Sequence, residues 1–236
     1  MISDLTCVIL AGGLGKRLRS VIKDIPKPMA LVKGRPFLEY LLLQVKPFGI
    51  KDVVLCVGYK SEIIEQHFGD GKALGMSIRY SREKELLGTA GALAKAKDMI
   101  ISEPFMVLNG DSFCEVDFSK LIGSHLEHVA LATIVSPWVS EPSQSASIIF
   151  DKGLEIKSFS EKQGNNEPGY INGGIYVLSK KIFDYIPSGK PCSIEYEVLP
   201  MLTGKKIYAF PASGLFIDIG NPSDLERAQK VLNINS

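Results

Sequence analysis

The chain has 236 residues, 45% of them hydrophobic and 22% charged, with a formal net charge of +1. That length supports one large α/β domain or two small ones, and the near-neutral charge argues against a nucleic-acid partner. No apolar run reaches membrane-span length and no basic-then-apolar leader opens the chain, so a cytoplasmic protein with no membrane partner is expected.

The first strand expected is Thr6–Leu10, which runs into Ala11-Gly12-Gly13-Leu14-Gly15-Lys16-Arg17. A strand feeding a glycine-rich loop brings backbone N–H groups close to an anion, because no Cβ blocks the approach. A tight structural turn is the alternative. The dinucleotide fingerprint lacks its third glycine here, and no P-loop run is present. Arg17 and Lys27, the latter between Pro26 and Pro28, flank the loop with positive charge and suit a nucleoside triphosphate.

Next come a helix over Phe37–Phe48, a strand over Asp52–Val57 and a helix over Ser61–Phe68. A strand over Ser77–Tyr80, a helix over Thr89–Ile101 and a strand over Phe105–Asn109 follow. This alternation predicts a sheet covered by helices on both faces. Gly110-Asp111 closes the last of these strands, placing a carboxylate at the edge where open α/β sheets bind ligands. Strands then crowd together at Val129–Val135, Ala146–Phe150, Leu154–Phe159 and Gly173–Leu178, with polar loops expected at Pro137–Ser145 and Gln163–Gly169. A helix at Ile194–Leu202, a strand at Leu215–Ile219 and a closing helix from Pro222 to Leu232, capped by Asn221, complete the reading. With no linker or repeat, residues 1–236 read as one domain. The four cysteines, Cys7, Cys56, Cys114 and Cys192, are widely spaced and imply neither disulfides nor zinc, and His125 and His128 read as solvated helix-end residues.

The longer pattern is more specific. Leu10-Ala-Gly-Gly-Leu-Gly-Lys-Arg-Leu18 with Pro26-Lys-Pro-Met29 resembles the signature of the sugar-1-phosphate nucleotidyltransferases. The resemblance continues through Leu87-Gly-Thr-Ala-Gly-Ala92, Leu108-Asn-Gly-Asp111, Ser160-Glu-Lys162, Ile171-Asn-Gly-Gly-Ile-Tyr176 and Phe216-Ile-Asp-Ile-Gly220. Arg19-Ser-Val-Ile-Lys-Asp-Ile-Pro-Lys-Pro-Met29 and Arg35-Pro-Phe-Leu-Glu-Tyr40 are similar to the guanylyltransferase subgroup acting on D-glycero-α-D-manno-heptose 1-phosphate.

The resemblance implies a Rossmann-like three-layer α/β/α fold with a mixed, mostly parallel central sheet. Its N-terminal part would bind nucleotide and its C-terminal part the sugar. The implied reaction is Mg2+-dependent attack by a sugar 1-phosphate on the α-phosphorus of GTP or another NTP, releasing pyrophosphate. A phosphate monoester is already mostly anionic at neutral pH, its second pKa being about 6, so no general base is needed. The task is to hold two polyanions together and neutralise charge.

Arg17 would grip the β- and γ-phosphates, Lys27 would sit near the reacting phosphates, and Asp111 and Asp218 would hold the metal. Leu10, Ala11, Gly12, Gly13 and Gly15 would cradle the nucleotide, with Gly88 and Thr89 beside the base. Glu83 and Glu85 precede that segment. A carboxylate can accept from guanine N1–H and its 2-amino group together, which favours GTP over UTP or dTTP; solvated loop charges are the alternative. Lys162 matches the position that grips the sugar's phosphate, Glu161 and Asn172 are the partners for sugar hydroxyls, and Gly173 belongs to the same sugar-phosphate site.

Relatives carry Tyr-Gly where this chain reads Gln144-Ser145-Ala146, so the exact sugar stays open: the heptose 1-phosphate is favoured, with mannose 1-phosphate guanylylation or uridylyl or thymidylyl transfer to another sugar 1-phosphate as the alternatives. A silent nucleotide-sugar sensor would have lost a phosphate-gripping cation or a metal aspartate, and none is lost. Trp138 could mark an interface or cover the substrate, and a homo-oligomer stays open.

Overall fold

The computed structural model describes residues 2–18, 21–140, 147–160 and 168–233. The first half runs β1 (Thr6–Leu10), a short hairpin of β2 (Leu31–Val32) and β3 (Arg35–Pro36), α1 (Phe37–Val45), β4 (Asp52–Val57) and α2 (Ser61–Phe68). It continues through β5 (Ser77–Arg82), α3 (Gly88–Lys95), β6 (Phe105–Asn109), β7 (Ser112–Cys114) and α4 (Phe118–Glu127). The second half contains β8 (Ala132–Val139), β9 (Ser147–Phe150), β10 (Ile156–Ser160), β11 (Gly169–Tyr170) and β12 (Ile175–Leu178). A π-helical turn over Ile194–Val198 then leads into α5 (Leu199–Met201), β13 (Ile207–Ala212), β14 (Phe216–Asp218) and α6 (Pro222–Val231).

The central sheet has the order β11-β8-β12-β6-β1-β4-β5, with β13 pairing β8 as well. Strands β6, β1, β4 and β5 are parallel neighbours, as are β13 and β8, whereas β12 lies antiparallel between β6 and β8. The sheet is mixed and mostly parallel, as expected.

Alternation along the buried strands splits the core in two, because successive side chains leave a strand on opposite faces. Cys7 and Ile9 of β1 and Val53, Leu55 and Val57 of β4 pack with Phe37 and Leu41 of α1, Ile64 of α2, Phe118 of α4 and Leu225 of α6. Val8, Val54 and Cys56 face the other way, against Ala90 and Leu93 of α3 and Ile194 and Leu199. Helices thus cover both faces in three layers.

Several elements depart from expectation. Strand β8 begins at Ala132 and not at Val129, which adopts φ +47° in the turn after α4. It also runs on through Pro137, Trp138 and Val139 where a loop was expected, and Gly169 belongs to the short strand β11. The helix expected over Ile194–Leu202 opens as a π-turn. Asn221 does cap α6, its Oδ1 accepting from the Asp224 N–H at 3.0 Å.

His125 is buried, not solvated: its Nδ1 lies 3.0 Å from Thr133 Oγ1 beneath β8, and burial pushes its pKa down to about 4. His128 caps α4, its Nδ1 2.8 Å from the Ser124 carbonyl and its ring against Tyr208. The four cysteines are buried free thiols. Among the described residues no helix is long and apolar enough to cross a membrane.

Candidate active site

The parallel register of β1 and β6 sets Leu10 beside Asn109, so the glycine loop and Gly110-Asp111 leave the sheet side by side. The Gly110 N–H donates to the Leu10 carbonyl at 2.9 Å, and the Ala11 N–H donates to Cys56 of β4 at 2.8 Å. A cavity of about 580 Å³ lies over these strand ends. From the loop and α3 it is lined by Leu10, Gly12, Gly13, Glu83, Gly88 and Thr89, and from the second half by Phe159, Asn172, Gly174, Glu195, Tyr196 and Phe216. Arg17, Asn109, Asp111 and Asp218 line it too. A second cavity of about 250 Å³ shares Leu10, Gly13, Arg17 and Asp111 with the first and adds Ala11, Gly15, Lys27 and Gly220.

The two aspartates meet through a small ribbon outside the main sheet. Strand β14 pairs antiparallel with β7, placing Asp218 opposite Ser112, and the Ile219 N–H donates to the Asp111 carbonyl at 2.9 Å. Lys27 lies between them. Its Nζ donates to Asp111 Oδ2 at 2.7 Å and stands 3.7 Å from Asp218 Oδ1. A 3-10 turn over Lys27–Met29 carries this lysine, and only 8% of it is exposed. At Gly15, with φ +56°, a Cβ would come within 2.8 Å of Lys27 Cβ, so loop and lysine pack tightly.

Asp218 Oδ1 is buried and, among the described residues, accepts no hydrogen bond. Burial, and then the neighbouring Asp111 carboxylate, hold Asp218 well above the usual carboxylate range against the pull of Lys27 and Arg17. A Cβ on Gly220 would lie 3.0 Å from Asp218 Oδ1 and 3.4 Å from Arg17 Nη2, so carboxylate and guanidinium both border this glycine. An orphaned carboxylate oxygen next to a second aspartate fits a hard divalent cation that keeps water and phosphate oxygens as its other ligands. Among the described residues no group of three or more His, Cys, Asp and Glu is placed to hold a metal, so the two aspartates are the donors available.

Glu83 and Glu85 part company. Glu83 lines the cavity, its Oε2 accepting the Leu87 N–H at 3.1 Å. A Cβ on Gly12 would sit 2.5 Å from Glu83 Oε1, so the glycine leaves room for this carboxylate against the loop. Burial raises the Glu83 pKa above the ordinary carboxylate value. Glu85 is exposed and does not line the cavity, because the turn after β5 points it outward.

Asn172 lines the cavity, its Oδ1 accepting the Gly174 N–H at 2.9 Å. Gly173 instead packs under β8, donating to Val135 at 2.9 Å, and Gly174 takes the place at the wall. Trp138 does not line the cavity. It is 55% exposed on β8 and meets Tyr170 edge to face at 5.0 Å. Glu161, Lys162 and the Gln144-Ser145-Ala146 segment lie outside the described residues.

Glu195 was not anticipated from sequence. It accepts from Thr89 Oγ1 at 2.5 Å, Ser193 Oγ at 2.8 Å and Asn109 Nδ2 at 3.1 Å. It thereby ties α3 to the end of β6. In Ile194-Glu195-Tyr196-Glu197-Val198 it looks like one face of an ordinary exposed helix, and partners 86 and 106 residues away leave no local trace.

The model of the nucleotidyl transferase family matches residues 6–233. A D-glycero-alpha-D-manno-heptose 1-phosphate guanylyltransferase of Aneurinibacillus thermoaerophilus is 40% identical over 226 residues, covering 95% of this chain and 97% of the relative. The mannose-1-phosphate guanylyltransferase catalytic subunit beta of Drosophila melanogaster is 39% identical over 92% of this chain, which spans 60% of that protein. The crystal structure of HddC from Yersinia pseudotuberculosis complexed with GMP-PN superposes with a TM-score of 0.85 at 38% identity, covering 96% of this chain and 98% of that one.

Proposed function

The chain belongs to the nucleotidyl transferase family, and from that membership we propose that it transfers a guanylyl group from GTP to D-glycero-α-D-manno-heptose 1-phosphate in the cytoplasm, as a single domain. A phosphate oxygen of the sugar 1-phosphate forms the new bond to the α-phosphorus of GTP. The bond from that phosphorus to the bridging oxygen breaks, and pyrophosphate leaves with the electron pair. The observation that carries this reading is the Lys27–Asp111–Asp218 cluster at the junction of two adjoining cavities under the glycine loop.

The residues divide the work by charge. Backbone N–H groups of the loop and the Arg17 fork hold the triphosphate, and Lys27 neutralises charge gathering on the reacting phosphorus. Lys162 takes the sugar's phosphate and Asn172, with Glu161, its hydroxyls. Asp111 and Asp218 hold Mg2+, which supplies charge neutralisation to the phosphates when bound. Glu83, pressed against Gly12, reads the base: one carboxylate can accept both guanine donors.

The test is pyrophosphate release with Mg2+ across four NTPs, each with heptose, mannose, glucose and N-acetylated sugar 1-phosphates. Release with GTP and the heptose phosphate is expected, and release with another NTP alone would remove the role of Glu83. A second reading, mannose 1-phosphate as acceptor, is favoured by the 39% identity to the mannose enzyme. The same panel decides it. No release from any pair, with nucleotide-sugar binding retained, would mark a silent sensor.

A further inference from the structure

The ammonium of Lys27 stands where a divalent cation bound by Asp111 and Asp218 would need to stand, 2.7 Å from one carboxylate and 3.7 Å from the other. We propose that Lys27 is a built-in competitor for the metal site: it pairs the two aspartates until a metal–nucleotide complex arrives, then exchanges them for the phosphates. This rests on the reading of Asp111 and Asp218 as the metal ligands.

Three observations carry it. The first is pairing: the Lys27 ammonium reaches both carboxylates but hydrogen-bonds only Asp111, and among the described residues the buried Asp218 Oδ1 has no hydrogen-bond donor. The lysine offsets part of the repulsion between the aspartates without satisfying both. The second is the stem. Pro26 caps the 3-10 turn, Pro28 lies within it, and Lys27 Cβ is pressed against Gly15, so the backbone and first methylene are fixed. Beyond them the Lys27 chain turns about sp³ bonds and can swing.

The third is the space open to that swing. Lys27 lines the 250 Å³ cavity with Gly13, Gly15 and Arg17, the residues proposed to hold the triphosphate. A short rotation moves its ammonium from the carboxylates to that cavity. Each anion then stays paired throughout: carboxylates with metal, phosphates with lysine. Metal without nucleotide would have to expel the ammonium with no new anion to receive it, so it binds weakly. The structure therefore points to entry of metal and nucleotide together.

The experiment is a Mn2+ titration without nucleotide, reading free Mn2+ by electron paramagnetic resonance, on the wild-type protein and on Lys27→Met and Lys27→Gln. Both variants should bind Mn2+ at least tenfold more tightly than wild type, and Mn2+ should raise their melting temperatures more. Equal or weaker binding in folded variants, or no saturable binding in any of the three proteins, overturns the proposal. Wild-type protein gives a reading that needs no variant to fold. The 15N-labelled Lys27 ammonium resonance should shift as Mg2+ alone saturates the site, and an unshifted resonance overturns the exchange. Neither measurement involves turnover, so a failed pyrophosphate assay would sink the proposed reaction while leaving this competition to be judged separately.

Discussion

Thr89 at the start of α3 donates its hydroxyl to Glu195 at 2.5 Å, and the same hydroxyl accepts the Ile194 N–H at 2.8 Å. Helix α3 and the π-turn are thereby locked together beneath the cavity, and Asn109 joins the lock through the other Glu195 oxygen.

Glu195→Ala should strand three donors at once and lower unfolding stability by roughly 1–3 kcal/mol. Glu195→Gln keeps the volume but turns an N–H toward groups that are themselves donors, so the sugar-phosphate KM should rise. Urea unfolding and the two KM values check this, and an unchanged sugar-phosphate KM in Glu195→Gln would remove its role in shaping that wall.

Asp111→Asn and Asp218→Asn should each cut turnover by about a hundredfold or more at saturating Mg2+, the scale of losing one charge-stabilising group. Both side chains serve the cavity and neither belongs to an apolar core, so circular dichroism should show an intact fold. Turnover near wild type in either variant would sink the metal assignment.

Glu83→Gln should reduce the preference for GTP over UTP by about tenfold or more, the size of one hydrogen bond to a charged group at roughly 1.5–3 kcal/mol. Glu85→Gln should leave the preference unchanged, because Glu85 is exposed and off the cavity wall. Competition between the two nucleotides in one assay reads the ratio directly.

His125 makes stability depend on pH. Its pKa falls from the ordinary 6.5 to about 4 in the folded chain, chiefly by burial, with Glu103 pulling the other way. Between those values the unfolded chain binds the extra proton. Stability from the neutral imidazole is therefore complete above about pH 6.5 and lost as pH falls toward 4, reaching roughly 2–3 kcal/mol at pH 4.5. His125→Asn should be less stable than wild type at pH 7 and show a flatter decline in urea unfolding between pH 7 and 4.5.

Much of the first half was legible because its strands are short, apolar and β-branched, bounded by glycine or proline. Thr6–Leu10, Asp52–Val57 and Phe105–Asn109 form with the bounds their sequences suggest, as does the helix Ser61–Phe68. Strand β13 was missed. Pro211 argues against a strand locally, and β8, the partner that makes Ile207–Ala212 extend, lies more than seventy residues earlier. His125 was misread for a related reason: four residues of α4 do not reveal that β8 will cover that face. At the site, glycine-bounded Asp111 and Asp218 stood out, whereas Glu195 draws its position wholly from tertiary pairing.

The β7–β14 ribbon has a consequence for the order in which the protein is made. Everything from α4 to β13 is threaded between its two strands, so Ser112 waits on the ribosome for Asp218 as its cross-strand neighbour. The glycine loop and Asp111 emerge early, yet Asp218 leaves the ribosome about a hundred residues later. A nascent chain that has made β7 but not β14 can form the glycine loop while Asp111 still lacks Asp218 beside it. The two aspartates thus come together only after the whole stretch between their strands has been made.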